Sequence, residues 1–461
     1  MDILRAIACF GLATFLWGCS TDVRNSAGDL LVSGGVIVDV EGGSITPPKD
    51  ILIAHGKIVE IVDHHEDNSF GAIEVLDAKG LYLLPGLIDV HAHVGDGGIL
   101  ENDDVDRQQA LLQFLRYGVT TIFVPGGGGG NDVQLNAWKE YCGNEPARCP
   151  RIFGSGNIVT AHGSHPIGTI WGFPDDVDPR VVFERGAIGI GESDSVDDLI
   201  AAKLEANVDA IKIVVEDGPG GFAPKPRLSR TKVAEICGKA RTAGLRVFAH
   251  VSLSEHVVDV VDGHCDGIMH APDDELSDST LALMAERQVY YVATLSLFDA
   301  LMDQEVGFRD QESYAIAGVS KKALVSLEGD EYWAVDRESA GLIEEWKSAI
   351  DTNLQRAVEF GVPIALGTDT NNPQIFPGYS AHEELALMVE AGLDEIDALK
   401  AATIGAASFL EQSNLIGSLK PGLQADIVAL RENPLDDILH TRRIAFVLTN
   451  GTNVDGVVAE P

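Results

Sequence analysis

Six residues of the types that bind metals or transfer protons lie at or near the ends of short apolar runs. They are His91 and His93 in LIDVHAH, Lys212 in AIKI, His250 in FAH, His270 in IMH and Asp369 in GTD. Imidazole and carboxylate groups are standard zinc ligands, and two His at positions i and i+2 of a strand point to the same side. The pattern predicts a metal centre, and its chemistry would be activation of water for hydrolysis.

Lys212 is the unusual member of this set, because an ammonium group has no lone pair to donate to a metal. Two interpretations are open from the residues alone. Burial could lower the pKa of the amine and make Lys212 a general base. Alternatively, the neutral amine could react with carbon dioxide to form a carbamate, whose two oxygens can bridge two cations. The second interpretation explains why more ligand-type residues are present than the three that one catalytic zinc needs.

The apolar runs that carry these residues alternate with helical stretches, and eight such strand–helix units can be counted. This pattern predicts an α/β fold of the (β/α)8 TIM-barrel type over residues 85–413. The C-terminal ends of barrel strands meet at one mouth, so the six residues should converge there. Residues 29–84 and 414–461 contain short strands with Gly-centred turns, and they are expected to form one small β domain beside the barrel.

Taken in order along the chain, these motifs resemble the amidohydrolase superfamily in its two-metal form. Ala54–Ile58 (AHGKI) and Gly417–Gly422 (GSLKPG) are similar to the family's N- and C-terminal β-sandwich segments. The resemblance therefore implies that the β domain is a sandwich. The loop Gly154–Pro166, with its Gly and His residues, is similar to the imidazolonepropionase-like and prolidase-like branch.

The resemblance also implies a role for each residue. His91, His93 and Asp369 would hold a first metal, His250 and His270 a second, and carboxylated Lys212 would bridge the two. The cofactors implied are two divalent ions, with zinc the expected element, and the carbamate derived from CO2 on Lys212. Asp369 would take the proton of a hydroxide that bridges the metals, and His165 would contact the substrate.

The implied reaction is hydrolysis of an amide-type C–N bond in a small-molecule substrate. One candidate substrate is a dipeptide, cleaved as by an Xaa-Pro dipeptidase. A lactam, lactone or other cyclic or non-peptide substrate is the alternative. A non-catalytic lipoprotein that binds a ligand is a remote third hypothesis, because all six ligand positions are filled.

Charge and the N-terminus restrict the partners and the location. Lys plus Arg total 33 and Asp plus Glu total 71, which gives a formal net charge of −38 and argues against nucleic acid as a partner. Residues 1–19 are typical of a secretory signal, and LWGC resembles a lipoprotein cleavage site with Cys19 acylated. Plain export and an uncleaved anchor are the alternatives. Residues 20–28 would form a tether.

We therefore expect an exported bacterial protein, either periplasmic or an outer-membrane lipoprotein, whose contact with the membrane is a lipid anchor at Cys19. A homo-oligomer is left open as a further partner state. Cys142 and Cys149 flank a Gly/Pro loop and could form a disulfide or remain free thiols.

Overall fold

The computed structural model describes residues 29–66, 74–94, 104–127, 130–218, 224–302, 337–372 and 374–457. The predictions made for residues 1–28, namely the signal, the tether and acylation of Cys19, lie outside these ranges and stay predictions. Among the described helices, none is both long and apolar enough to cross a bilayer.

The strands form from short runs rich in Val, Ile and Leu, because these side chains suit a pleated, half-buried surface. In chain order the strands are β1 (Leu30–Asp39), β2 (Ser44–Ala54), β3 (Lys57–Asp63), β4 (Glu74–Asp77), β5 (Tyr82–Pro85), β6 (Leu87–Asp89), β7 (Val119–Val124), β8 (Arg151–Gly154), β9 (Ile158–Ala161), β10 (Ala187–Ile190), β11 (Ala210–Val214), β12 (Arg246–His250), β13 (Gly267–Met269), β14 (Tyr290–Val292), β15 (Ile427–Leu430), β16 (Ile444–Thr449) and β17 (Thr452–Asn453).

Helices fill most of the chain between the strands from β6 to β15. Their bounds are Asp104–Arg116, Asp132–Asn144, Pro179–Arg185, Val196–Glu205, Arg230–Thr242, Ser254–Asp262, Asp278–Arg287, Leu295–Met302, Arg337–Phe360, Tyr379–Glu390, Glu395–Lys400 and Ala406–Phe409, with a π-helix at Ala401–Gly405 and a 3-10 helix at Ile438–Arg442. Several begin after a residue whose side chain accepts a hydrogen bond from the first turn, as Ser195, Ser229 and Ser277 do. Such N-caps satisfy backbone donors that have no partner within the helix.

Strands from both ends of the described chain share one mixed sheet, in the order β17-β16-β15-β5-β1-β2-β3, with β4 also paired to β1. The two ends meet where β15 pairs antiparallel with β5, Ile427 opposite Pro85. Val32, Ile51 and Leu448 are buried in the core of this sheet. The N- and C-terminal segments are therefore parts of the same β structure.

The strands between β6 and β14 run parallel and form two sheets. One has the order β6-β7-β8 and the other β10-β9-β11-β12-β13-β14. Asp209, directly before β11, donates its backbone N–H to the Gly154 carbonyl of β8, N···O 2.9 Å. The segment 363–369 bonds to β14 through the Tyr291 N–H and the Pro363 carbonyl (2.9 Å), and to the chain after β6 through the Val90 N–H and the Leu366 carbonyl (2.8 Å).

The structure differs from the sequence expectation around the third strand. The run RIFGSG gives only β8, and after a break the chain continues as β9, which pairs with β11 and with the additional strand β10. Lys203 explains how the break is held. Its buried Nζ donates to the carbonyls of Ser155 and Asn157 and lies 3.0 Å from Oδ1 of Asp132. An ammonium satisfies several acceptors at once, so one side chain helps to fix the stretch 155–157 between the two strands. In this stretch the Ser155 N–H also bonds to the Val124 carbonyl of β7, N···O 3.0 Å.

Two disulfides join parts of the parallel-strand region. Cys142 and Cys149 are bonded, which decides between the two states that the sequence left open. The second bond joins Cys237, in the helix Arg230–Thr242, to Cys265 just before β13, and it was not predicted from the sequence. The enclosed segment includes β12 and therefore His250.

His382 connects the helix Tyr379–Glu390 to two other parts of the chain. Its Nε2 lies 2.9 Å from the Tyr117 carbonyl and its Nδ1 lies 3.0 Å from Oγ1 of Thr441. Burial lowers the pKa of His382 from 6.5 to about 4. Between these two pH values the unfolded chain binds a proton that the folded chain does not.

Acidification from pH 6.5 to 4 is therefore expected to remove about 3 kcal/mol of stability through this one group. Above pH 6.5 both states are neutral at His382, so the group adds no pH dependence there. Urea unfolding of wild type and His382→Gln at several pH values measures the effect, because the variant should show a shallower loss of stability in acid. Parallel curves for the two proteins would contradict the prediction.

Candidate metal centre

The histidines that the sequence predicts to be metal ligands lie at the C-terminal ends of the parallel strands. His91 and His93 follow β6, His250 ends β12 and His270 follows β13. With His165, their rings form a continuous row, in which successive centroids lie 5.4, 4.7, 4.4 and 4.9 Å apart from His93 through His91, His270 and His250 to His165. The strand ends therefore bring five imidazoles to one place.

A first group of candidate ligands consists of His91, His270 and Asp369, all buried, with ligand atoms within 4.8 Å of one another. Oδ1 of Asp369 lies 3.3 Å from Nε2 of His91 and 2.9 Å from Nε2 of His93. His93 thus joins the same group through the carboxylate. Imidazole nitrogens and a carboxylate oxygen are the donors that zinc takes in proteins, so these residues fit a divalent cation.

A second group lies beside the first and consists of His165, Glu216 and His250, whose ligand atoms also lie within 4.8 Å of one another. Oε2 of Glu216 is 3.0 Å from Nε2 of His250, and Oε1 is 3.4 Å from Nδ1 of His165. The second group is likewise a set of nitrogen and oxygen donors suited to a divalent cation.

Lys212 lies within β11, and its side chain is buried. Its Nζ is 3.0 Å from Sδ of Met269, and its charge interacts with Asp369 and Glu216. Burial lowers the pKa of Lys212 to about 7, although the two carboxylates oppose this shift. A large fraction of neutral amine is therefore present near neutral pH.

The electrostatics of the site suit metal binding, which requires neutral imidazole. Burial lowers the pKa of His165 to about 4, and burial together with the neighbouring cationic groups places the pKa values of His91 and His270 well below 6.5. Burial would raise the pKa of Asp369, but His91 and His93 hold it well below its usual range.

Buried polar groups fix the orientation of the candidate ligands. Asp89 accepts from the His91 N–H (3.0 Å) and from Oγ1 of Thr368 (2.6 Å), so it ties the chain after β6 to the segment that carries Asp369. Oγ1 of Thr294 lies 2.9 Å from Nδ1 of His270. This contact leaves Nε2 of His270 as its ligand atom, as is usual for metal-binding histidines.

The structure thus brings His91, His93, Lys212, His250, His270, Asp369 and His165 close together near the C-terminal ends of the parallel strands. It adds Glu216, which the sequence reasoning missed. The signal was available, because Glu216 is an acidic residue directly after the apolar run IKIVV of β11 and its continuation. Its place in the chain follows the same rule as the other candidates, a polar residue at a C-terminal strand end.

Comparisons with known proteins agree with this architecture. An ochratoxinase from Aspergillus niger is 26% identical over 390 residues, which span 77% of this chain and 71% of that protein. An imidazolonepropionase from Geobacillus kaustophilus is 24% identical over 404 residues, 84% of each chain. A crystal structure of a Xaa-Pro dipeptidase with bound methionine superposes with a TM-score of 0.73 at 22% identity, covering 93% of this chain and all of that one.

The structural likeness implies a TIM-barrel-type α/β fold, in keeping with the parallel sheets described above. The model of the amidohydrolase family matches residues 82–460, which is most of the chain and includes every candidate ligand. The chain therefore belongs to the amidohydrolase family and is a hydrolase of amide-type carbon–nitrogen bonds.

Proposed function

We propose that the protein is a two-metal hydrolase of an amide-type bond in a small molecule. The observation that carries this proposal is the pair of adjacent ligand groups at one mouth, connected by a row of five imidazoles. A single catalytic zinc needs three protein ligands, so one cation would leave half of these donors unused.

In this proposal His91, His93 and Asp369 hold the first cation, and His250 and His270 hold the second. Zinc is the element proposed, because the donors are imidazole and carboxylate. The amine of Lys212 reacts with carbon dioxide to form an N–C bond and releases one proton. The resulting carbamate has two oxygens, which can face the two groups, in keeping with the charge interactions of Lys212 with Asp369 and Glu216.

Two divalent cations, when bound, lower the pKa of a water molecule and polarise the scissile carbonyl. Asp369 accepts the proton of the attacking water and delivers it to the leaving amine. Its position supports this role, because one oxygen of Asp369 contacts both His91 and His93 within the first group of candidate ligands. His165 borders the mouth beside His250, where it can face either the substrate or the second cation.

The fold proposed for this chemistry is a closed (β/α)8 barrel over residues 85–413, with a β-sandwich formed by residues 29–84 and 414–461. The hydrogen bonds from β8 to β11, and from the segment 363–369 to β14 and to the chain after β6, support closure. The pairing of β5 with β15 supports a β domain made from both ends.

Lys212→Ala tests the bridge. We expect wild type to bind two zinc ions per chain, and the variant to bind at most one and to lose about 10³-fold in turnover, the scale of a positioned catalytic group. Metal content is measured by mass spectrometry after chelation and reloading. The control is Lys232→Ala, which removes another largely buried lysine, located in the helix Arg230–Thr242. A Lys212→Ala protein that binds two ions and turns over normally would contradict the bridge.

The substrate class proposed is a dipeptide, supported by the structural likeness to a Xaa-Pro dipeptidase. A panel of Xaa-Pro and other dipeptides, assayed beside lactams, lactones and N-acyl amino acids, separates this class from the alternatives. Turnover of dipeptides above all other members of the panel is the expected result, and preferential turnover of a lactam or lactone would favour the alternative instead.

A further inference from the structure

Glu216 is a fully buried carboxylate that lies between two histidines at the mouth. It follows β11 by two residues, and its oxygens lie 3.0 Å from Nε2 of His250 and 3.4 Å from Nδ1 of His165. The side chain is completely inaccessible to solvent. Among the described residues no hydrogen bond to either oxygen is well directed, although His250 and Ser252 lie within bonding reach of the carboxylate.

A buried carboxylate in this state requires a cation, because an unpaired charge away from water costs several kcal/mol. Lys212 is the nearby side chain with a formal positive charge that interacts with Glu216. If Lys212 is a carbamate, as proposed above, that positive charge becomes negative. The compensation for Glu216 must then come from a bound ion.

The spacing of the three donors matches such an ion. Ligands about 2.1 Å from a tetrahedral zinc lie about 3.4 Å from one another. Oε2 of Glu216 is 3.0 Å from Nε2 of His250, Oε1 is 3.4 Å from Nδ1 of His165, and one ligand atom from each of the three residues falls within 4.8 Å of the others. Oγ1 of Thr169 also lies 2.8 Å from Nδ1 of His165, so ligation by that nitrogen requires the hydroxyl hydrogen to turn away from it. Two imidazoles and one carboxylate are also a known set of ligands for a catalytic zinc.

We propose that Glu216 is a direct ligand of the second cation, together with His250 and His165. The inference rests on the proposed two-metal function and adds two ligands to it, Glu216 and His165. In this arrangement His165 holds metal and does not contact the substrate. The second cation then has a carboxylate of its own, and His270 remains its ligand as proposed above, since its ring lies between those of His91 (4.7 Å) and His250 (4.4 Å).

The test compares zinc binding by the full-length wild type with that by Glu216→Gln, after chelation and stepwise return of zinc. The readouts are ions bound per chain and the shift of the thermal midpoint with zinc. Gln has the shape of Glu without its charge, so we expect the second equivalent of zinc to bind at least about 100-fold more weakly. Altering a residue that only supports a metal ligand lowers metal affinity by about 10–100-fold, and loss of a ligand should lower it at least as much.

Asp273→Asn is the matched control. Its carboxyl is close enough to interact with Glu216, and its pKa is raised to about 7, first by burial and then by the charge of Glu216. Asp273 is outside both ligand groups. If Glu216 acted only through its negative charge at a distance, both variants would weaken binding of the second zinc ion similarly, and the inference would be wrong. We expect Asp273→Asn to retain two ions near wild-type affinity.

The remaining outcomes are also decisive. A Glu216→Gln protein that binds two ions with wild-type affinity overturns the inference, and loss of activity in such a protein would assign Glu216 to the substrate while leaving the two-metal function intact. Fewer than two ions in wild type would overturn both proposals. If Glu216→Gln does not fold by circular dichroism, Glu216→Asp replaces it. The shorter carboxylate should weaken the second equivalent, and unchanged affinity would overturn the inference.

Discussion

Replacement of Asp369 by Asn is expected to lower kcat/KM by about 10³-fold or more without changing the fold. The amide cannot accept the proton that the carboxylate takes from water, and it is a much weaker ligand for a cation. The backbone of Asp369 is left-handed, with φ 60°. Asn tolerates this conformation as well as Asp does, so the substitution removes the chemistry and keeps the local geometry.

The measurement is steady-state kinetics on any substrate that the panel identifies, with circular dichroism and thermal unfolding to confirm the fold. Asp217→Asn is a suitable comparison, because it removes a partly exposed carboxylate directly after Glu216. That variant is expected to retain most of its activity. Turnover by Asp369→Asn within tenfold of wild type would show that another group accepts the proton.

Lys203→Met is expected to have the largest effect on stability, a loss of about 3–5 kcal/mol in the free energy of unfolding. The substitution leaves Asp132 without its cation and the Ser155 and Asn157 carbonyls without their donor, all in the interior. Met fills a similar volume, so the loss reports the missing charge and hydrogen bonds more than a cavity.

Chemical denaturation of Lys203→Met and of the double variant Lys203→Met/Asp132→Asn measures this effect. Removal of both charges should recover part of the loss, because no unpaired carboxylate then remains. Lys239→Met controls for loss of a lysine, since Lys239 makes ion pairs at a partly exposed position and its replacement should cost less than 1 kcal/mol. A loss below 1 kcal/mol in Lys203→Met would mean that the contacts of Lys203 with Asp132, Ser155 and Asn157 are not important for stability.

The candidate site could be predicted from sequence largely because its residues obey a local rule. His91, His93, His250 and His270 each come at the end of a short apolar run, and parallel strands bring such ends together. Glu216 obeys the same rule. It lies two residues beyond the end of the strand, where the apolar pattern does not show whether a side chain turns inwards. Its importance follows from burial and from the histidines opposite, which are three-dimensional facts.

Other features depend on contacts between distant parts of the chain. The break between β8 and β9 is held by Lys203, about fifty residues further along, and an apolar helix face does not show that one lysine in it points inwards. The bond between Cys237 and Cys265 requires a helix and a strand entrance to be neighbours in space. Neither feature leaves a periodic signal, so hydrophobic patterns could indicate the elements but not these connections.

The pairing of β5 with β15 has a consequence for the synthesis of the chain. On the ribosome β5 emerges early, but its partner follows only after residues 86–426 have been made. Until then the β5 edge carries unpaired backbone groups, and such edges invite pairing with other chains. A nascent chain of this protein therefore has a long interval in which its first sheet is incomplete, and a stop codon anywhere before residue 427 would make that exposure permanent.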